Sequence, residues 1–181
     1  MPSRPACGNS SRRQSKLVLD PVMIAASGDR LLAPDAIDTL KRVLIPRALV
    51  ITPNLPEAAA LLDAPIASSE TQMREQAERL LALGPKSVLI KGGHGTGAES
   101  VDLLVEPTAF TRLPAARIAT QNTHGTGCTL SSAIAAGLAK GAGLAEAVGA
   151  AKAYVTAAIA AAGRIRIGSG HGPVHHFHAW W

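Results

Sequence analysis

Apolar positions along this chain alternate between two spacings, which predicts strands and helices in turn. Leu17-Val18-Leu19-Asp20 is a short apolar run ending in a carboxylate, the pattern of a strand buried on both faces of a parallel sheet. After Pro34, which a first helical turn tolerates, Ile37, Leu40 and Leu44 form a helical stripe, and Pro46 is read as its stop. Leu49-Val50-Ile51-Thr52 predicts a second buried strand, and Asn54-Leu55-Pro56-Glu57 opens a helix. Ser69 and Gln72 bracket the start of the next helix, whose Met73, Ala77, Leu80 and Leu81 share one side and which Gly84 ends. Ser87-Val88-Leu89-Ile90-Lys91 predicts a third buried strand, running into Gly92-Gly93-His94.

Beyond that loop the period changes. Val101, Leu103 and Val105 alternate with Asp102 and Glu106, and Pro107-Thr108 separates them from Ala109-Phe110-Thr111-Arg112-Leu113, which predicts a half-exposed antiparallel hairpin at one edge of the sheet. Leu130, Ile134 and Leu138 then recur every fourth position, with Ala133 and Gly137 on the same face. Leu144, Val148, Ala151, Val155 and Ile159 define a second long helix. Neither helix carries bulky residues on its packing face, so the two are expected to approach closely. Strands joined by helices imply an α/β architecture with a parallel core, helices on both faces, and ligands at the carboxyl ends of the strands. That rule gathers Asp20, Thr52 with Asn54, Lys91 with Gly92 and Gly93, and the turn at 125–128, all of which follow strand signals.

Composition narrows the class. With 181 residues, 47% of them apolar and 17% charged, the chain suits one globular domain. A formal charge of +5 could suit nucleic acid, but aromatics make up only 3% and no long basic run or stacking pattern occurs, so anionic small molecules account for the charge as well. Two cysteines, Cys7 and Cys128, are no disulfide framework, and a reducing, cytoplasmic setting is the simpler assumption. Lys140, Glu146 and Lys152 interrupt the alanine-rich C-terminal half, so no membrane span is predicted. Residues 1–15, rich in Ser, Arg and Pro, are read as a disordered segment separate from the domain at 16–181.

The most pointed chemistry lies in Asn122-Thr123-His124-Gly125-Thr126-Gly127-Cys128, a glycine-punctuated turn before a helix. The unpaired N–H groups and dipole of a helix start favour an anion, and Gly125 and Gly127 let successive N–H groups converge on it. An ordinary glycine-rich helix entry has the same composition. Cys128 equally suits a small residue filling the helix start. Asn54 and Glu57 have capping-box spacing, Asp20 could end its strand on turn N–H groups, and Lys91 could be a solvated strand end. His175, His176 and His178 do not share one direction as a ligand set would, and with Phe177, Trp180 and Trp181 they read as a tail packed on the body. His124 beside Cys128 is too near in sequence to suggest a Cys-His hydrolase.

Taken in order, Asp20-Pro21-Val22-Met23 with Ser27-Gly28, Thr52-Pro53-Asn54-Leu55-Pro56-Glu57, Lys91-Gly92-Gly93-His94, the motif at 122–128 and the ending at 172–181 resemble the hydroxymethylpyrimidine and phosphomethylpyrimidine kinases of thiamine biosynthesis, within the ribokinase-like superfamily. The resemblance implies a three-layer αβα fold with a mostly parallel sheet, here without the N-terminal third that a usual family chain has. It implies transfer of the ATP γ-phosphoryl group to a hydroxymethyl aminopyrimidine and then to the monophosphate. Gly125, Thr126 and Gly127 would form the anion hole and Cys128 the base; a helix start makes a thiolate reasonable there. Asp20 would lie near acceptor and metal, Val22 in the pyrimidine pocket, and Lys91, Gly92, Gly93 and Thr52 around the nucleotide. Asn54 and Glu57 would organise Mg2+ through water, a role that can coexist with a cap. The family allows a homodimer and calls for no membrane or nucleic-acid partner. A pyridoxal or pyridoxine kinase is the related alternative, and a non-catalytic remnant that binds nucleotide or a full-length subunit is the alternative from another class.

Overall fold

A computed structural model describes residues 16–23, 31–93 and 97–181. The expected disordered segment, Cys7, Ser27-Gly28 and His94 lie outside the described residues. Five strands, β1 (Val18–Leu19), β2 (Val50–Ile51), β3 (Val88–Ile90), β4 (Glu99–Glu106) and β5 (Ala109–Ala116), form one sheet in the order β1-β2-β3-β4-β5. The first three pair in parallel, and β4 runs against both β3 and β5, so four of the five strands share one direction.

Alternation along the strands splits the core into two layers. Ile51, Val88, Ile90, Leu103 and Val105 face α1 (Pro34–Thr39), α2 (Leu55–Leu62) and α3 (Glu70–Leu81), where Leu40, Ile45, Leu55, Leu61, Met73 and Leu80 meet them. On the other face Val50, Leu89 and Leu104 pack against Leu130, Ile134 and Leu138 of α4 (Thr126–Ala139) and Val148 and Val155 of α5 (Leu144–Ala160). The result is the expected three-layer αβα arrangement.

The first helix departs from its predicted stripe. After α1 the chain widens into a π-turn at Leu40–Leu44 and a 3-10 turn at Ile45–Arg47, so Pro46 does not stop the helical path. Ile45 N–H donates to the Leu40 carbonyl five residues back, and this one-residue shift turns Ile45 into the core while Leu44 stays 41% exposed. Ile45 therefore takes the core position that the stripe gave to Leu44. Ser69 caps α3 by accepting the Gln72 N–H at 3.2 Å, but the Gln72 side chain returns to Ser68 N and Oγ, so the cap is one-sided. Gly84, at φ +101°, closes that helix and packs against Pro46.

The hairpin also differs from a half-exposed pair. β4 lies between β3 and β5 and is buried on both faces from Val101 to Val105, whereas β5 is the open edge. Asp102, read as a solvent-facing residue, is 4% exposed because Lys152 of α5 neutralises it at 2.8 Å. On the outer surface Arg112 of β5 joins Glu70 of α3 and Glu99 of β4 at 2.8 and 2.7 Å.

Helices α4 and α5 do approach closely: a Cβ on Gly137 would stand 3.1 Å from Ala147 Cβ. By length and composition alone Leu144–Arg164 could cross a membrane, but Ala147, Val148, Ala151 and Val155 lie in the core and Lys152 is paired. The aromatic ending is only partly packed, in correction of the tail expected on the body. Val174 and His175 are buried, while Phe177, Trp180 and Trp181 are more than half exposed and Phe177 and Trp181 stack on each other. Gly137→Leu is expected to force the α4–α5 seam apart and to cost ~1–3 kcal/mol by urea unfolding. A variant as stable as the parent would show the seam to be loose.

Candidate functional site

The carboxyl ends of the three parallel strands bring the predicted residues to one place. Thr52 N–H donates to the Leu19 carbonyl and Lys91 N–H to the Pro53 carbonyl, both at 2.9 Å, which aligns Asp20, Thr52–Asn54 and Lys91 side by side. Asp20 Oδ1 accepts from Lys91 Nζ at 2.8 Å and from Thr52 Oγ at 3.0 Å. Thr52 is buried and its hydroxyl donates to Asp20, so it orients the carboxylate.

Asn54 and Glu57 form the capping box of α2: Asn54 Oδ1 accepts the Glu57 N–H at 2.8 Å and Glu57 Oε2 accepts the Asn54 N–H at 2.7 Å. The same Oε2 stands 3.9 Å from Lys91 Nζ. Burial raises the Glu57 carboxyl above its ordinary 4.5, with Lys91 and the Asn54 N–H pulling it back. Two carboxylates thus share one ammonium.

The 125–128 turn closes over this group. Gly125 is the N-cap of α4 at φ +80°, a left-handed conformation that a side chain would strain. Thr126 Oγ donates to the Thr123 carbonyl, pinning the entry. Gly127 and Cys128 occupy the second and third helical positions, where backbone N–H groups have no acceptor within the helix. A Cβ on Gly127 would lie 3.2 Å from Lys91 Nζ and 3.6 Å from Asp20 Oδ2. That Oδ2 is buried and has no hydrogen-bond partner among the described residues. Cys128 is exposed at the rim.

Other predicted residues lie outside this cluster. Val22 is 37% exposed, two residues beyond Asp20, and Gly93 is exposed with its carbonyl taken by Arg117 Nη1 at 2.7 Å. His124 donates its N–H to Gly172, and His171 Nδ1 faces the Gln121 carbonyl. Three residues were not singled out as site residues. Arg117 also bonds the Gly97 and Glu99 carbonyls, and Asp102 with Lys152 buttresses Gly92. Asp102 gave one signal, an acid in an otherwise apolar strand; Arg117 gave none.

The profile of the family described as phosphomethylpyrimidine kinase matches residues 8–175. The chain belongs to that family. It is 57% identical over 177 residues to a hydroxymethylpyrimidine/phosphomethylpyrimidine kinase of Rhizobium meliloti, covering 97% of this chain and 66% of that one. It is 53% identical over 165 residues to the Escherichia coli enzyme of the same name, covering 91% and 62%. This family member thus spans a little under two thirds of those relatives. Among solved structures, an ADP complex of Bacillus subtilis pyridoxal kinase superposes with TM-score 0.83 at 38% identity, covering 91% of this chain and 61% of that one. The phosphomethylpyrimidine kinase of Clostridium difficile superposes with TM-score 0.65 at 44% identity, covering 78% and 56%.

For this phosphomethylpyrimidine kinase family member, the raised Glu57 pKa makes stability depend on pH. The folded state holds the proton more tightly than the unfolded chain, so the group's contribution to stability is complete below 4.5 and is lost as pH rises through the raised value. Glu57→Gln keeps an oxygen for the Asn54 N–H and leaves Lys91 paired with Asp20. Relative to the parent it is expected to gain stability as pH rises above 4.5 in urea titrations. A pH-independent difference would contradict this.

Proposed function

We propose that the chain carries the phosphate-handling part of an ATP-dependent hydroxymethylpyrimidine/phosphomethylpyrimidine kinase site. The observation that carries this reading is the meeting of Asp20, Lys91 and Gly127, from three distant parts of the sequence, at the start of a 14-residue helix. Phosphoryl transfer needs positioning and stabilisation of charge more than covalent chemistry. Here Lys91 provides a point charge, and the Gly127 and Cys128 N–H groups provide donors backed by the helix dipole. Gly125 and Thr126 shape their approach, and Gly92 and Gly93 line the nucleotide side.

Asp20 Oδ2 is buried without a hydrogen-bond partner among the described residues, and the Glu57 carboxylate lies beside the same Lys91 ammonium. Two neighbouring carboxylates suit Mg2+, a hard cation that keeps most of its waters and is completed by phosphate. Bound there, it would neutralise charge on the transferred group. Asn54 Oδ1 is committed to the cap, so Asn54 acts on Mg2+ by holding Glu57.

In the first transfer the substrate hydroxyl oxygen bonds to the γ-phosphorus, its proton passes to Cys128 Sγ, and the bond to the ADP oxygen breaks. In the second transfer the acceptor is a phosphate oxygen that is already ionised and needs no base. Val22, exposed beside Asp20, is placed on the pyrimidine side. A cytoplasmic setting and a homodimer are consistent with this reading.

A pyridoxal kinase is the second reading, favoured by the higher TM-score of the Bacillus subtilis structure. A nucleotide-binding, non-catalytic role is the third. The test is ATP-dependent phosphorylation of hydroxymethylpyrimidine and of pyridoxal by the purified chain. Pyrimidine turnover supports the first reading, preference for pyridoxal the second, and silence with retained ADP binding the third. In an active protein Cys128→Ala should lower hydroxymethyl phosphorylation ~10²-fold while sparing phosphorylation of the monophosphate. Equal losses in both steps would remove Cys128 as the base.

A further inference from the structure

Outside the cluster at the strand ends, the most completely buried charged pair is Asp102 with Lys152. Asp102 is 4% exposed, and each of its carboxylate oxygens has one partner. Oδ2 accepts from Lys152 Nζ at 2.8 Å, and Oδ1 accepts the backbone N–H of Gly92 at 2.9 Å. Lys152 also donates to the Ser100 carbonyl at 3.1 Å. A buried ion pair is weak as a source of stability, since desolvation offsets most of the attraction. Its geometry here is more telling: the carboxylate grips the first peptide after Lys91, where β3 ends and the chain turns into the site.

Gly92 has no room for a side chain. A Cβ on it would stand 1.9 Å from the Val101 carbonyl oxygen, so the peptide lies directly on β4. Lys91 is fixed on its other side by its N–H to the Pro53 carbonyl. The Gly92 N–H, directed at Asp102, ties the peptide between Lys91 and Gly92 to β4.

We infer that Asp102, held by Lys152, is a positioning residue that sets the Lys91–Gly92 strand end against the nucleotide phosphates. This rests on the kinase reading above. Asp102 touches no ligand; it acts through the Gly92 peptide, and Lys152 serves to keep the carboxylate oriented and neutralised.

The test separates the acceptor from the charge. Asp102→Leu with Lys152→Met removes both charges and the acceptor; Asp102→Asn with Lys152→Met removes the charges but keeps an oxygen for Gly92. With ADP as the probe in titration calorimetry on the purified chain, the first pair should weaken binding about tenfold, the strength of one hydrogen bond. The second should stay within about threefold of the parent, and the Gly92 amide should exchange with solvent faster only in the first. Asp102→Val with Lys152→Met replaces the first pair if leucine prevents folding. Equal affinity in both folded pairs, or equal loss in both, overturns the inference and leaves the kinase reading standing. A parent chain that binds no ADP overturns both.

Discussion

The ion pair between Asp20 and Lys91 is the interaction on which the site depends. It joins the ends of two strands that are not neighbours, since β2 lies between them, and Thr52 of the intervening segment donates to the same carboxylate. The pair is mostly buried, at 11% and 13% side-chain exposure, so its charges are poorly screened. Leaving either one alone would be costly, which keeps the strand ends level. Glu57 adds a second negative charge beside one ammonium. That surplus suits a site whose further positive partner arrives with the ligand.

The fold was legible where hydrophobic period and turn chemistry agreed. Val88 to Ile90 is an unbroken apolar run between Gly84 and Gly92, and it is a fully buried strand. Asn54 and Glu57 could be placed at a helix start by spacing alone, and both halves of the cap are made. Ile45 was missed because a π-turn changes the period by one residue without a distinctive composition. Asp102 was misread because alternation carries no information on whether a polar residue meets water or a buried lysine 50 positions away.

The site was legible through chain order. Asp20, Lys91 and the 125–128 turn each had an ordinary explanation, and their common place after predicted strands, together with their resemblance to family motifs in order, singled them out. The structure adds that Asp20 and Lys91 meet and that Gly127 lies against them, where a Cβ would stand 3.2 Å from Lys91 Nζ and push the ammonium aside by a few tenths of an ångström. Arg117 stayed invisible because its three acceptors are backbone carbonyls of 93–99, and no residue type announces a carbonyl.

The glycine–alanine contact between α4 and α5 has a mechanical meaning. Gly137 lies ten residues along α4 from Gly127, about 15 Å at 1.5 Å per residue. A tilt of roughly 4° about that point would swing the helix start by about 1 Å, and displacements of that size can cost two orders of magnitude in rate. The small residues near the far end of the helix act as a fulcrum, and the placement of the Gly127 end is set by a contact about three turns away from it.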